Sequence, residues 1–154
     1  MVIGLIADTH GTLRPDVHRA LAGVDLILHA GDVGGDGILD ELRIVAPVRA
    51  VYGNTDVPGS IRLTDGVEFE LCGLTLHMSH GHEIGSPTPE VLLRTYDADI
   101  IVFGHTHRQL VFREGSRLVI NPGSAGAPRF DLPPSVAILS LNEGACEVEI
   151  IDLW

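Results

Sequence analysis

The chain has 154 residues, 45% of them hydrophobic, and a formal net charge of −11. That size and a mean hydropathy of +0.25 fit one folded domain with a sizeable core and exclude a disordered chain. An acidic surface repels polyphosphate backbones, which argues against a nucleic-acid polymer as partner, although a bound cation can dominate the field inside its own pocket. No apolar run approaches the roughly 20 residues needed to span a bilayer. The opening stretch, Met1 to Ala7, lacks the basic flank of a leader and runs straight into Asp8, so a cytoplasmic protein is expected. Cys72 and Cys146 have neither metal-site nor redox spacing and read as small apolar residues in a reducing compartment.

Val2 to Ala7 reads as a first strand, ending at Asp8-Thr9-His10-Gly11. Pro15 suits a helix first turn, Val17, Ala20 and Leu21 form an apolar stripe, and Gly23 is a stop. Asp25 to Ala30 is a second strand, ending at Gly31-Asp32-Val33. Ile38, Leu39, Leu42 and Val45 give a short amphipathic helix ahead of Pro47, and Val48 to Tyr52 a third strand that ends at Gly53-Asn54-Thr55-Asp56. This βαβαβ alternation predicts a right-handed, largely parallel sheet.

The second half reads differently. Val67 to Leu71 and Leu74 to Met78 pair around Cys72-Gly73, and the second arm runs into Ser79-His80-Gly81-His82. Ser86 or Thr88 caps a helix that carries Pro89, Glu90, Leu92 and Leu93 and continues to Tyr96. Ile100 to Phe103 is a buried strand that stops at Gly104-His105-Thr106-His107. Leu110 to Arg113 and Arg117 to Ile120 pair around Glu114-Gly115-Ser116, and Asn121 to Pro128 is a rigid, glycine-rich loop. Val136 to Leu141 and Cys146 to Ile151 close the chain as a last hairpin. Two sheets packed face to face with helices outside, one domain over residues 1–154, account for the pattern.

Polar residues collect at five strand ends: Asp8 with His10, Asp32, Asn54, His80 with His82, and His105 with His107. In an extended chain the side chains of His105 and His107 project together, at the edge of a sheet where α/β proteins bind ligands. Singly, each group has an ordinary explanation, since the aspartates are good helix caps and Asn54 beside Gly53 is good turn chemistry. Five such accidents at five strand ends are a poor account of the set. Carboxylate, amide and imidazole donors without thiolates favour Mn²⁺, Fe²⁺ or Zn²⁺ over an iron–sulfur cluster or structural zinc. Seven ligands, Asp8, His10, Asp32, Asn54, His80, His105 and His107, exceed the needs of one ion and suit two that share a carboxylate, about 3.5–4 Å apart in such sites. His18, His29 and His77 read as core or surface residues, the last two inside strands.

In order and spacing, Asp8-Thr9-His10, Gly31-Asp32, Gly53-Asn54-Thr55-Asp56, Ser79-His80-Gly81-His82 and Gly104-His105-Thr106-His107 resemble the motif set of calcineurin-like metallophosphoesterases, and within it the small YfcE-type phosphodiesterase branch. Asn121-Pro122-Gly123-Ser124 is similar to a loop of that branch. The resemblance implies a four-layer α-β-β-α sandwich of two mixed sheets. It implies one divalent ion held by Asp8, His10, Asp32 and His107 and a second by Asp32, Asn54, His80 and His105, with Mn²⁺ preferred and Fe²⁺, Zn²⁺ or Ni²⁺ as alternatives. The implied activity is hydrolysis of a small phosphodiester by a metal-bridging hydroxide, with His10 and Asn54 contacting the transition state. Many members carry histidine directly after the motif asparagine, where it is taken to protonate the leaving group. Here that position is Thr55, whose hydroxyl has no useful pKa for the role. His82 and Thr55 are then expected to contact the substrate, and activated aryl esters to be turned over better than alkyl ones. Two alternatives stand beside this: a scaffold that keeps the fold but works through protein contacts, and a phosphomonoesterase, which Thr55 and the small size argue against. Specificity is expected in the loops Thr55 to Ile61, Glu83 to Pro89 and Ala125 to Pro134, and exposed hairpin edges offer a surface for a homo-oligomer.

Overall fold

Side chains of the first strand, β1 (Val2–Ile6), alternate between two apolar layers: Ile3 and Leu5 enter one, Ile6 the other, and all three are fully buried. A period of two on a strand covered on both faces produces that split. The computed structural model, which describes residues 1–57, 62–129 and 131–153, repeats the pattern strand by strand. In β2 (Leu26–His29), Leu28 faces the layer of Ile3 while Ile27 faces that of Ile6. In β7 (Ile100–Val102), Ile100 and Val102 also enter the first layer, and Ile101 enters a third.

The remaining strands are β3 (Val48–Val51), β4 (Leu63–Thr64), β5 (Gly66–Leu71), β6 (Leu74–Ser79), β8 (Leu110–Glu114), β9 (Arg117–Asn121), β10 (Ser135–Asn142) and β11 (Ala145–Asp152). They form a six-stranded sheet, β11-β10-β1-β2-β3-β4, and a five-stranded sheet, β5-β6-β7-β9-β8. The strands β1 to β4 are parallel, as the βαβαβ reading expects. The closing hairpin, however, lies antiparallel along β1, so the first sheet is mixed. The second sheet is mixed as well: β6, β7 and β9 run parallel, with β5 and β8 antiparallel at its edges.

Between the sheets lies the main core, Leu5, Leu28, Met78, Val102 and Ile120 among its members. On the outer face of the first sheet pack α1 (Pro15–Ala20) and α2 (Asp36–Val45), through Val17, Leu39 and Leu42. Gly4 makes room for Leu21, directly after α1: a Cβ at Gly4 would stand 2.8 Å from Leu21 Cδ2. On the outer face of the second sheet, α3 (Pro89–Thr95) buries Leu92 and Leu93, and its cap is Thr88, whose hydroxyl accepts the Val91 N–H. The order is α-β-β-α, four layers in a mixed α/β fold.

Two features were absent from the sequence reading: β4, only two residues long, and a single 3-10 turn over His82–Ile84. Of the loops expected to carry specificity, residues 58–61 and 130 lie outside the described residues. Among the described residues, no helix is long and apolar enough to cross a membrane.

Candidate metal centre

The ends of β1, β2, β3, β6 and β7 converge at one edge of the sandwich, and the polar residues that follow them meet there. The Asp8 loop is sewn to the Asp32 loop by backbone hydrogen bonds: Asp8 N–H to Gly31 O at 3.0 Å, and His10 N–H to Asp32 O at 2.9 Å. Within the second sheet Gly104 N–H bonds His80 O at 2.9 Å, and that sheet joins the first through His105 N–H to Asp8 Oδ2, 3.1 Å. Close approach here depends on Gly53, where a Cβ would lie 2.0 Å from Asp32 Oδ1.

Within this frame the ligand atoms of Asp8, His10 and His107 lie within 4.8 Å of one another, as do those of Asp8, Asp32 and His80. Asp8 Oδ1 is buried and makes no hydrogen bond among the described residues. It faces three imidazole nitrogens, Nε2 of His107 at 3.7 Å, of His80 at 3.8 Å and of His10 at 3.9 Å. These distances are too long for hydrogen bonds, and they leave a space walled by one carboxylate oxygen and three nitrogens. Asp32 Oδ2 stands between the two groups, 3.2 Å from His80 Nε2 and 3.6 Å from His10 Nε2. Asn54 Oδ1 lies 3.1 Å from His80 Nε2, and the His105 ring meets the His80 ring edge-on at 5.2 Å.

The hydrogen bonds of His80 fix its chemistry. Its Nδ1 lies 2.7 Å from the Ala30 carbonyl, which can only accept, so Nδ1 carries the proton. In a neutral ring, Nε2 then presents a lone pair to Asp32, Asn54 and Asp8, all of them acceptors. A cation relieves that confrontation, whether a metal ion or a second proton on the ring. Without a metal, burial works against charge on His80, but the Asp32 and Asp8 carboxylates outweigh it and raise its pKa. Burial also pushes Asp8 up to about 7, with Asp32 adding to the rise. Asp32 goes the other way: burial opposes its charge, but hydrogen bonds from His80 and the Thr55 N–H hold it below the usual carboxylate range. Burial lowers His107 to about 4, the neighbouring His10 contributing, so its ring is neutral and open to a metal at neutral pH.

The structure thus gathers Asp8, His10, Asp32, Asn54, His80 and His107 within a few ångströms, with His105 at the edge against His80. His105 and His107 do not sit on extended backbone; both are left-handed, at φ 71° and 63°. Two turns, not strand alternation, aim them. Thr55 directs its backbone N–H at Asp32 Oδ1, 2.9 Å away. His82 begins the 3-10 turn with its ring 5.3 Å from that of His80.

Other residues brace the centre. His29 ends β2, not in its interior as the sequence reading had it, and is fully buried. Its Nδ1 accepts the Gly31 N–H at 3.1 Å and its Nε2 pairs with the Thr9 hydroxyl at 2.9 Å, which donates onward to Val33 O. One ring thereby ties the Asp8 and Asp32 loops together. Asn121 donates to Gly104 O and Thr106 Oγ1, both at 3.0 Å, and accepts from Gly123 N–H, while Ser124 Oγ donates to Asp8 O. The only sequence signals for these braces are a histidine at a buried strand end and a rigid loop after β9.

Comparison with known proteins supplies the family. Residues 1–144 match the calcineurin-like phosphoesterase superfamily domain. A probable metallophosphoesterase of Methanothermobacter thermautotrophicus is 34% identical over 98% of this chain and 92% of its own length. The phosphodiesterase YfcE of Escherichia coli is 36% identical over 90% of this chain and 87% of its own. Among solved structures, wild-type Vps29 of Entamoeba histolytica complexed with Zn²⁺ is similar at a TM-score of 0.80 and 27% identity, covering 99% of both chains. The chain belongs to the calcineurin-like phosphoesterase superfamily.

Proposed function

We propose that this protein is a divalent-metal-dependent phosphodiesterase with a dinuclear centre. Asp8, His10, Asp32 and His107 would hold one ion and Asp32, Asn54, His80 and His105 the other, Asp32 being shared. The observation that carries the reading is the buried Asp8 Oδ1, which makes no hydrogen bond among the described residues and faces three imidazole Nε2 atoms at 3.7–3.9 Å. Support also comes from Asp32 Oδ2, which lies between His10 and His80, and from a donor set of oxygens and imidazoles that suits a first-row divalent ion, Mn²⁺ being the ion that the family resemblance implies and Fe²⁺, Zn²⁺ or Ni²⁺ the alternatives. The phosphodiesterase name of a relative that spans most of the chain favours diesters over monoesters.

When bound, two such ions supply Lewis-acid charge and lower the pKa of an attacking water. The chain's own residues do the rest. The Ala30 carbonyl keeps the proton of His80 on Nδ1, so Nε2 faces the centre. The Thr55 N–H keeps Asp32 ionised and oriented. His10, 21% exposed, and Asn54, also open to solvent, lie where a phosphoryl oxygen would arrive and serve to neutralise its developing charge. His82 and Thr55 flank the same opening as substrate contacts.

The test is hydrolysis of bis- and mono-p-nitrophenyl phosphate by metal-free and Mn²⁺-loaded protein. The expected result is diester hydrolysis that requires metal and exceeds monoester hydrolysis. Bound metal with no hydrolysis under any divalent ion would sink the enzyme and leave the second reading, a non-catalytic scaffold, which the fold shared with Vps29 keeps in view.

A further inference from the structure

A cavity of about 340 Å³ opens directly beside the side of the centre formed by Asn54, His80 and His105. Three of its wall residues adjoin that group: Tyr52 lies two residues before Asn54, Ser79 immediately precedes His80, and the His82 ring is 5.3 Å from that of His80 and 6.3 Å from that of His105. A molecule whose phosphate sits at the centre can therefore extend one arm into the cavity.

Its lining is selective. Two tyrosines, Tyr52 and Tyr96, form apolar wall, and two carboxylates, Asp65 and Glu83, supply charge, while no lysine or arginine lines it among the described residues. Glu83 is fixed in place, accepting the Gly81 N–H at 2.8 Å and the Tyr96 hydroxyl at 3.1 Å. His77 stacks on Tyr96 at 3.6 Å, its two ring nitrogens turned to Glu68 Oε1 and Ser79 Oγ, both at 3.0 Å. The opposite side of the centre has the opposite character. There Arg108 lines a separate cavity of about 300 Å³ next to His107, and the charge of Arg129 acts on Asp8, His10 and His107.

Aromatic surface combined with two carboxylates, one of them held in place, attracts an organic cation and rejects an anion. An arm bearing further phosphates would be repelled here, and a neutral arm would gain only its apolar contacts. We infer that the cavity beside His80 binds the ammonium-bearing alcohol arm of a zwitterionic phosphodiester whose phosphate lies at the metal centre. This assignment rests on the phosphodiesterase reading and names its substrate class.

Two esters that differ only in charge provide the test: p-nitrophenyl phosphocholine and its carbon isostere, p-nitrophenyl 3,3-dimethylbutyl phosphate. Both release p-nitrophenolate and keep the other arm on phosphorus. With Mn²⁺-loaded full-length protein, kcat/KM should favour the choline ester by about tenfold, the scale of a cation held against aromatic and carboxylate groups. Asp65→Asn, which leaves the Glu83 contacts intact, and Glu83→Gln should each move that ratio toward one. A native ratio near one, or a ratio that neither variant changes, overturns the proposal while leaving a working phosphodiesterase. A readout without turnover separates the two readings: in a choline titration followed by ¹H–¹⁵N NMR, the amides of Gly66, His82 and Tyr96 should shift, and 3,3-dimethylbutanol should not reproduce it. A protein inactive on both esters that still shows these shifts contradicts the phosphodiesterase reading alone. Absence of the shifts contradicts the cavity's assignment.

Discussion

Five of the seven candidate ligands, Asp8, His10, Asp32, His105 and His107, have left-handed backbone, with φ between 47° and 71°. Non-glycine residues seldom adopt it, at a cost of about 1–3 kcal/mol each, and such outliers concentrate at functional sites. The sequence reading expected His105 and His107 to project together from extended chain. His107 stands with Asp8 and His10 while the His105 ring stands against His80 at the edge, both placed by turns that apolar periodicity cannot reveal. Thr55 gives a second lesson. Its contact with Asp32 includes the backbone N–H, so Thr55→His should preserve that hydrogen bond while adding a proton donor near the leaving group. The expected outcome is a gain of at least about tenfold in alkyl relative to aryl diester hydrolysis, within the range of general acid catalysis; an unchanged ratio would show that the position does not serve the leaving group. His29 allows a test through pH. Burial lowers its pKa from 6.5 to about 3. Above pH 6.5 both folded and unfolded forms are neutral and the group has no effect; below it the unfolded chain takes the proton first, so stability is lost as pH falls toward 3. Urea midpoints of metal-free protein between pH 7 and 4 should therefore drop, and His29→Gln should reduce that slope by about one proton's worth. An identical slope in the variant would contradict the assignment.

At the level of elements, the strands and helices were legible from simple patterns: short apolar runs bounded by polar turns in β1, β2 and β7, and an i, i+3, i+4 stripe in α2. Even the choice between two caps for α3 fell to one of the residues expected, Thr88. What periodicity could not supply was pairing at a distance. It did not predict that the last hairpin returns to β1, nor that the two-residue β4 extends the first sheet. Nor did it show what the loop from Asn121 is for, because its hydrogen bonds reach Gly104 and Thr106, 17 and 15 residues earlier, and Ser124 reaches Asp8 from 116 residues away. Asn121→Ala would leave the Gly123 N–H and the Gly104 carbonyl without that partner. We expect a loss of about 1–3 kcal/mol in unfolding free energy and a fall of roughly 10- to 100-fold in Mn²⁺ affinity, measured by urea denaturation and by metal titration. Undiminished affinity would mean that the loop does not position the His105–His107 turn.

For the whole molecule, the proposed metal centre accounts for how an acidic protein would act on an anionic substrate. The chain carries a net charge of −11, yet its candidate ligands converge where the edges of two sheets meet, and divalent ions held there would invert the local field. The fold's two mixed sheets bring loops from both halves of the sequence to one edge, which is why ligands almost 100 residues apart, Asp8 and His107, come within 3.7 Å. The most direct measurement is to titrate metal-free protein with Mn²⁺ while counting bound ions and following bis-p-nitrophenyl phosphate hydrolysis. The dinuclear assignment predicts two ions per native chain, hydrolysis that rises only as the second is filled, and one ion retained in each of His105→Ala and His107→Ala, from different sites. Full activity at one ion per chain, or the same ion lost from both variants, would contradict it.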